Sequence, residues 1–381
     1  MIKNSSNIVE HFKDLNDPRK HQWKCEHIFF EIIVTTLCAV ICGMTGWEEI
    51  ATFATAKSKW LKKKLKVRFD NGIPSADTFR RVVGSIKPDE LQKAFVDWVY
   101  AIQEMSKGVV VSIDGKTARR SYDKAKKKKP LHMVAAWVHE NKLSLGQVAT
   151  DSKSNEITAI PKLLKMLALR KCLVIIDAEG CQKSIAKQII DSEGNYLLCL
   201  KANHPKFYDK VKKVFTDNFK NKTQANFYES IAEKGHGRIE KRSCSLISIN
   251  DFNDFEQEVA AWRGLKSLIM IETQVVNLST GKESTEKRFY ISSLITGPKE
   301  FLTYIRGHWG IETSLHWVLD VVMKEDDSRI RSNYGQEVFS TLRRMALNYL
   351  RKEKTRKGSI KSKQLKAALD ESYLEKILDL C

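Results

Sequence analysis

A chain of 381 residues, 42% of them hydrophobic, is long enough for a large core or for two or three domains of ordinary size. Its 65 Lys and Arg against 46 Asp and Glu leave a formal charge of +19, which favours a polyanionic partner such as nucleic acid. Eight scattered cysteines without a C-x-x-C argue against a zinc ribbon or a disulfide framework, and the most apolar stretch, Ile32 to Met44, is shorter than the roughly 20 residues a bilayer needs. The N-terminus carries charges where a signal peptide needs an apolar run, so a cytoplasmic protein with no membrane partner is expected.

From Asn7 to about Glu104 apolar residues recur at three and four spacing, punctuated by Pro18, Gly43, Gly72 and Pro74, which predicts an all-helical domain over residues 1–104. Within it, Pro74 to Arg81 places a cap before a short basic helix, as helix-turn-helix DNA readers do; a solvated helix with two arginines is the plainer alternative. After Gly108 the run Val109 to Ile113 predicts a buried strand ending in Asp114. Leu131 to His139 and Leu143 to Thr150 predict a hairpin around Glu140-Asn141-Lys142. Thr158 is placed to cap a helix with Pro161 in its first turn. Cys172 to Ile176 predicts a strand ending in Asp177, Ile185 to Ile190 a helix, and Tyr196 to Leu200 a strand ending at Lys201. The order β-β-β-α-β-α-β describes an α/β fold with a mixed sheet and flanking helices. Residues 205–298 read as a β-rich insertion with strands at Ser267 to Val276 and Arg288 to Leu294. A long α-helix is expected from Pro298 to Lys324, with Glu312 in its middle and Trp309 and Trp317 partly buried, and residues 351–381 as a basic tail closing on a short amphipathic helix.

Asp114 and Asp177 each end an apolar strand, where side chains emerge at the carboxyl edge of a sheet and converge on a ligand. With Glu312 from a packed helix they offer oxygen ligands to a pair of Mg2+ ions, the set that phosphodiester chemistry uses. An Asp at a strand end is, taken singly, more often a turn or cap residue. Two nucleotide signatures fail: Gly115-Lys116-Thr117 lacks the earlier glycine of a P-loop, since Val110 stands there, and Gly235-His236-Gly237-Arg238 has Glu240 where a dinucleotide loop needs its third glycine. No H-E-x-x-H of a zinc protease is present around His308, Glu312 and His316, which share one face at α-helical spacing.

Five motifs in order, Ile113-Asp114-Gly115-Lys116-Thr117, Lys153 to Pro161, Ile176-Asp177-Ala178 with Cys181-Gln182, Gly235 to Glu240, and His308 to Glu312, resemble the H-repeat-associated insertion-sequence transposases, and the likeness runs from about Phe12, through Asp17-Pro18-Arg19, to about Asn348. The resemblance implies a ribonuclease-H-like catalytic core over residues 105–350 with an insertion before the last acid. It further implies that Asp114, Asp177 and Glu312 hold two Mg2+ ions, with Mn2+ able to substitute, and that the chain cleaves and joins DNA at the ends of an insertion sequence. The implied partners are double-stranded DNA, as terminal inverted repeats and target, and a second copy of the chain. Expected DNA contacts are Lys116, Arg119, Arg120, Lys201, Asn203, His236, Arg238 and His308, with the Lys62 to Lys66 and Lys126 to Lys129 clusters and the tail adding charge. The Y-x-x-R-x-x-x-E-x-x-x-x-x-x-K pattern of related transposases keeps only its glutamate, because Ile305, His308 and Leu319 occupy the other positions. A nuclease of the same fold without strand transfer and a non-catalytic DNA-binding remnant are the alternative functions.

Overall fold

The computed structural model describes residues 8–102, 109–122, 129–150, 156–217, 226–235, 237–251, 255–331 and 333–380. The chain divides into two compact units: Met1–Ser106, Gly115–Asn155 and Glu312–Cys381 form the first, Lys107–Asp114 and Glu156–Ile311 the second. The helical region expected to stand alone to residue 104 therefore shares a unit with the hairpin and the end of the chain.

The first unit opens with α1 (Ile8–Phe12), α2 (Phe29–Ile41), α3 (Trp47–Ala56), α4 (Ser58–Leu65), α5 (Ala76–Val83) and α6 (Pro88–Ile102). Every residue of α2 except Phe30 is buried, as befits a helix apolar all round. The predicted cap of α5 forms, with the Ser75 hydroxyl accepting from the Thr78 N–H. Several of these helices pack on α12 (Gly335–Lys352): Trp98 of α6 lies 4.6 Å, centroid to centroid, from Tyr349, Trp47 of α3 lies 5.4 Å from Phe339, and α2 and α5 contact the same helix. The predicted hairpin is present as β2 (Leu131–Val138) and β3 (Ser144–Thr150), joined through Lys142 at φ 60. Asn348 of α12 both accepts from the Ser144 N–H and donates to its carbonyl, each at 2.9 Å.

The tail expected after Arg351 is folded. Here α13 (Ile360–Leu369) and α14 (Glu371–Ile377) pack on α12, burying Tyr373, Leu374 and Ile377, an apolar face that the surrounding lysines mask in the sequence. Lys363 is buried and bonds the Leu350 carbonyl at 2.9 Å and Glu353 at 3.3 Å. Lys57 and Lys64 pair with Glu371 and Glu375, so part of the basic charge meets its counter-charge inside the unit.

The second unit carries the first half of β1 (Val110–Ala118), then α7 (Glu156–Met166), β4 (Leu173–Ile176), α8 (Lys183–Asp191), β5 (Asn195–Leu200), α9 (Pro205–Asp217), β6 (Phe227–Glu229), β7 (Glu233–Gly235), β8 (Arg238–Ser248), α10 (Glu256–Ala261), β9 (Ser267–Asn277), β10 (Glu283–Ser292) and α11 (Pro298–His308). Its sheet runs β1-β4-β5-β10-β9-β8-β6, with β7 on β8; β1, β4 and β5 are parallel, and β10 joins β5 antiparallel. The stretch expected as an insertion thus extends the same sheet, and it begins with a helix, α9. Helix α7 starts at Glu156, two residues before the expected cap, leaving Pro161 inside it. Among the described residues no helix is long and apolar enough to cross a membrane.

A fragment ending at Gln103 lacks α12, and we expect it to show no cooperative unfolding by calorimetry, while Tyr349→Ala in the full chain lowers stability by about 3 kcal/mol or more. A sharp transition in the fragment would show its helices to be self-sufficient.

Candidate active site

Because β1 and β4 pair in parallel with Ile113 opposite Ile176, the next residue of each, Asp114 and Asp177, falls side by side at the carboxyl ends of neighbouring strands. Side chains alternate along a strand, so Val110, Ser112 and Asp114 share a face with Leu173, Ile175 and Asp177, and with Leu197, Cys199 and Lys201. The apolar members of this face form one cluster with Phe301, Leu302 and Ile305 of α11. The helix ends over β1, where His308 Nδ1 lies 2.8 Å from the Ser112 hydroxyl, two residues before Asp114.

Burial, and next the charge of buried Glu156 at the start of α7, push the Asp177 carboxyl above the usual carboxylate range, against backbone N–H groups of Gly180 and Glu179 and the ammonium of Lys201. Gly180 allows the tight turn after Asp177, since a Cβ there would meet the Ile176 side chain at 2.2 Å. The neighbouring loop is tied to this turn: Asn203 donates to the Ala178 carbonyl at 2.8 Å and His204 Nε2 to that of Cys181 at 2.7 Å. Asn203 therefore has a structural bond besides its expected contact with DNA.

Across β8, β10 and α11, Trp309 is 37% exposed and carries the guanidinium of Arg288 4.7 Å from its ring and that of Arg242 at 5.8 Å. Trp317 is 55% exposed, so both tryptophans are partly buried, Trp309 the more so. Arg238 pairs with Glu240 on β8. His236 and the lysines at 126–128 lie outside the described residues.

In the first unit Lys116 is only 7% exposed and lies 2.6 Å from Asp320, 3.2 Å from Glu325 and 3.4 Å from Asp326. An ammonium enclosed by three carboxylates is not presented to phosphate, which corrects its expected role. Glu325 is buried. Burial works to raise its carboxyl, but Arg344 at 3.0 Å, then Lys116 and Arg343, with the Ser340 hydroxyl at 2.7 Å, hold it far below the usual range. Arg119 and Arg120 bond Asp326 through their backbone N–H groups, and both keep their guanidinium groups largely exposed.

The expected α-helix from Pro298 to Lys324 is α-helical only in its first part; Glu312–His316 and Val318–Val322 are π-helical. Side chains from α12 take backbone carbonyls along this run, Arg351 that of Ser314 and Arg343 that of Met323. Rotation at 100° per residue therefore does not carry from Glu312 to Asp320. The Glu312 side chain is exposed, with its Oε2 3.5 Å from Nδ1 of buried His316. Asp114 is the last residue of the second unit before the chain enters the first, and Glu312 is the first residue after it returns there. Sequence reasoning passed over Glu156, whose only signal is its place in the motif Lys153 to Pro161, and the carboxylate partners of Lys116, which lie about 200 residues away along the chain.

A family model described as Transposase DDE domain matches residues 105–349, and one described as DDE_Tnp_1-associated matches residues 9–99. YncI of Escherichia coli O157:H7, provisionally named a transposase, is 43% identical over 377 residues, covering 98% of this chain and 95% of that protein. YhhI of Escherichia coli strain K12, provisionally named an H repeat-associated transposase, is 38% identical over 374 residues, 97% of each chain. YbfQ of the same strain, named an inactive transposase, is 40% identical over 80 residues, covering 21% of this chain and 92% of that protein. Among solved structures, the piggyBac transposase synaptic complex with hairpin DNA aligns over 99% of this chain and 78% of that one, at a TM-score of 0.43 and 11% identity.

The raised pKa of Asp177 means that its ionised form costs folding energy, a penalty absent below the unfolded-state value and growing as pH rises through the folded-state one. Asp177→Asn should therefore raise Tm at pH 8 and lose that gain as the pH falls toward 4.5, in calorimetric scans without divalent metal. A lower Tm at pH 8 would show that the carboxylate is stabilised there.

Proposed function

The chain belongs to the DDE transposase family, and from that premise we propose that it cleaves DNA at the ends of an insertion sequence and joins those ends to a target. The observation that carries the reading is the pairing of Asp114 with Asp177 on one sheet face, under a helix whose end bonds that face one turn before Glu312. The proposed metal ligands are Asp114, Asp177 and Glu312.

The donors fit a hard cation. They are carboxylate oxygens, and the like charges of Asp177 and buried Glu156 repel each other in a way that a bound cation relieves. A pair of Mg2+ ions, or Mn2+ in their place, supplies activation of a water or 3′-hydroxyl and charge stabilisation at the leaving oxygen. Asp114 and Asp177 bind from the rigid strand ends. Lys201, on the same face, tempers the negative charge at Asp177, and Asn203 and His204 hold its loop against the Asp177 turn. The exposed guanidinium groups of Arg119 and Arg120 and the side chain of Lys201 suit DNA phosphate, with Arg238 and His308 in the same proposed role; Lys116 is set aside. Two ends to be joined call for two copies of the chain.

Glu312→Gln keeps the shape and removes the anionic oxygens, so Mg2+-dependent cleavage of a terminal repeat should fall by more than the roughly 10–100-fold that loss of an outer-shell partner costs, with DNA binding retained in gel shift. Joining of a pre-cut end to a supercoiled plasmid tests strand transfer, and cleavage without joining would leave the protein a nuclease. Affinity for the repeat should fall with salt at a log–log slope of about −0.9 per phosphate neutralised, and a flat titration would remove the role given to the +19 charge.

A further inference from the structure

We propose that Lys116 is a positioning residue for the metal centre, clamping β1 just beyond Asp114 to the end of the π-helical run that begins at Glu312. The inference rests on the two-metal reading above. Lys116 is two residues past Asp114 on the same strand, so the two side chains leave the strand on the same face. Its partners Asp320, Glu325 and Asp326 stand at and just after the end of the run, at 2.6, 3.2 and 3.4 Å.

A π-helical run is a departure from the favoured α-helical ladder, and such segments keep their shape through outside contacts. This run has three. Arg351 takes the Ser314 carbonyl near its start, Arg343 the Met323 carbonyl at its end, and Lys116 the Asp320 carboxylate between them. Of these three, Lys116 comes from the strand that carries a proposed metal ligand. Glu325 is itself fixed from below by Arg344, which is fully buried, and by Ser340, so the clamp bears on α12 rather than on solvent-exposed side chains.

Stability alone is a poor account of this arrangement. Buried ion networks are often no more stabilising than apolar residues of the same volume, and here Arg344 leaves Nε and Nη2 without an acceptor among the described residues. What such a network does supply is a single relative placement of the elements it joins. A two-metal site needs its ligands held within about 0.5 Å.

The test uses the full-length protein and Mn2+ binding followed by electron paramagnetic resonance, alongside thermal unfolding. Asp114→Asn is the reference, expected to lose a bound Mn2+. Lys116→Met is expected to weaken Mn2+ at least about tenfold, within the range that loss of an outer-shell partner produces. Adding Asp320→Asn to it removes one unpaired carboxylate and should recover Tm while leaving Mn2+ weak; a merely structural lysine would see Mn2+ affinity recover with Tm. Should Lys116→Met fail to fold, the partly exposed Asp320→Asn alone decides, with weaker Mn2+ binding expected at unchanged Tm. Wild-type Mn2+ affinity in Lys116→Met or, where that variant fails to fold, in Asp320→Asn, with Asp114→Asn impaired, overturns the clamp alone. Equal binding by wild type and Asp114→Asn overturns the metal reading and the clamp with it.

Discussion

The register of two parallel strands governs what the second unit can do. With Ile113 opposite Ile176, the carboxylates that follow emerge beside each other on the face that α11 covers. A slip of one residue in either strand sends its aspartate to the other face and its apolar neighbours with it, so the burial of Val110, Leu173 and Ile175 enforces the pairing of the acids. Core packing and site geometry are here one constraint. The bond from His308 to Ser112 extends it, because it places the end of α11 along the same face.

In the first unit the organising element is α12, whose buried surface is unusually polar. Arg343, Arg344, Asn348, Ser340 and Thr341 are all enclosed: Asn348 bonds the start of β3, Thr341 accepts from Gln147, Ser340 donates to Glu325, Arg343 takes a carbonyl at the end of the π-helical run, and Arg344 neutralises Glu325. Leaving any one of these groups without its partner strands a buried polar atom, a cost well above the modest gain of forming the bond. The helix therefore tolerates few alternative packings, and the segments attached to it inherit that definition.

Charge was the least legible part of the sequence. The net excess of basic residues is real, but composition does not reveal where each lysine ends. Lys116 lies among carboxylates, Lys363 under α12, and Lys64 against Glu375, whereas Arg119 and Arg120 remain open to solvent. In each case the deciding partner is remote in the chain or hidden in a stretch that reads as polar. The same distance effect explains the stretch read as an insertion, whose strand β10 joins β5 directly, and the basic tail, whose apolar face has meaning only against α12.

Local pattern by itself determined the strands that lead to Asp114 and Asp177, the hairpin that follows β1, the apolar helix α2 and the cap of α5, because each depends on residues within a few positions of one another. The motifs determined the family. Only the tertiary structure decided that the helix bearing Glu312 turns π-helical, that Trp309 sits among arginines at the surface, and that the N-terminal helices share their core with α12. Those outcomes rest on side chains that are far from neighbours in the sequence, Trp309 with Arg288 and Arg242, Lys116 with Asp320 and Trp98 with Tyr349, and no periodicity along the chain encodes such a meeting.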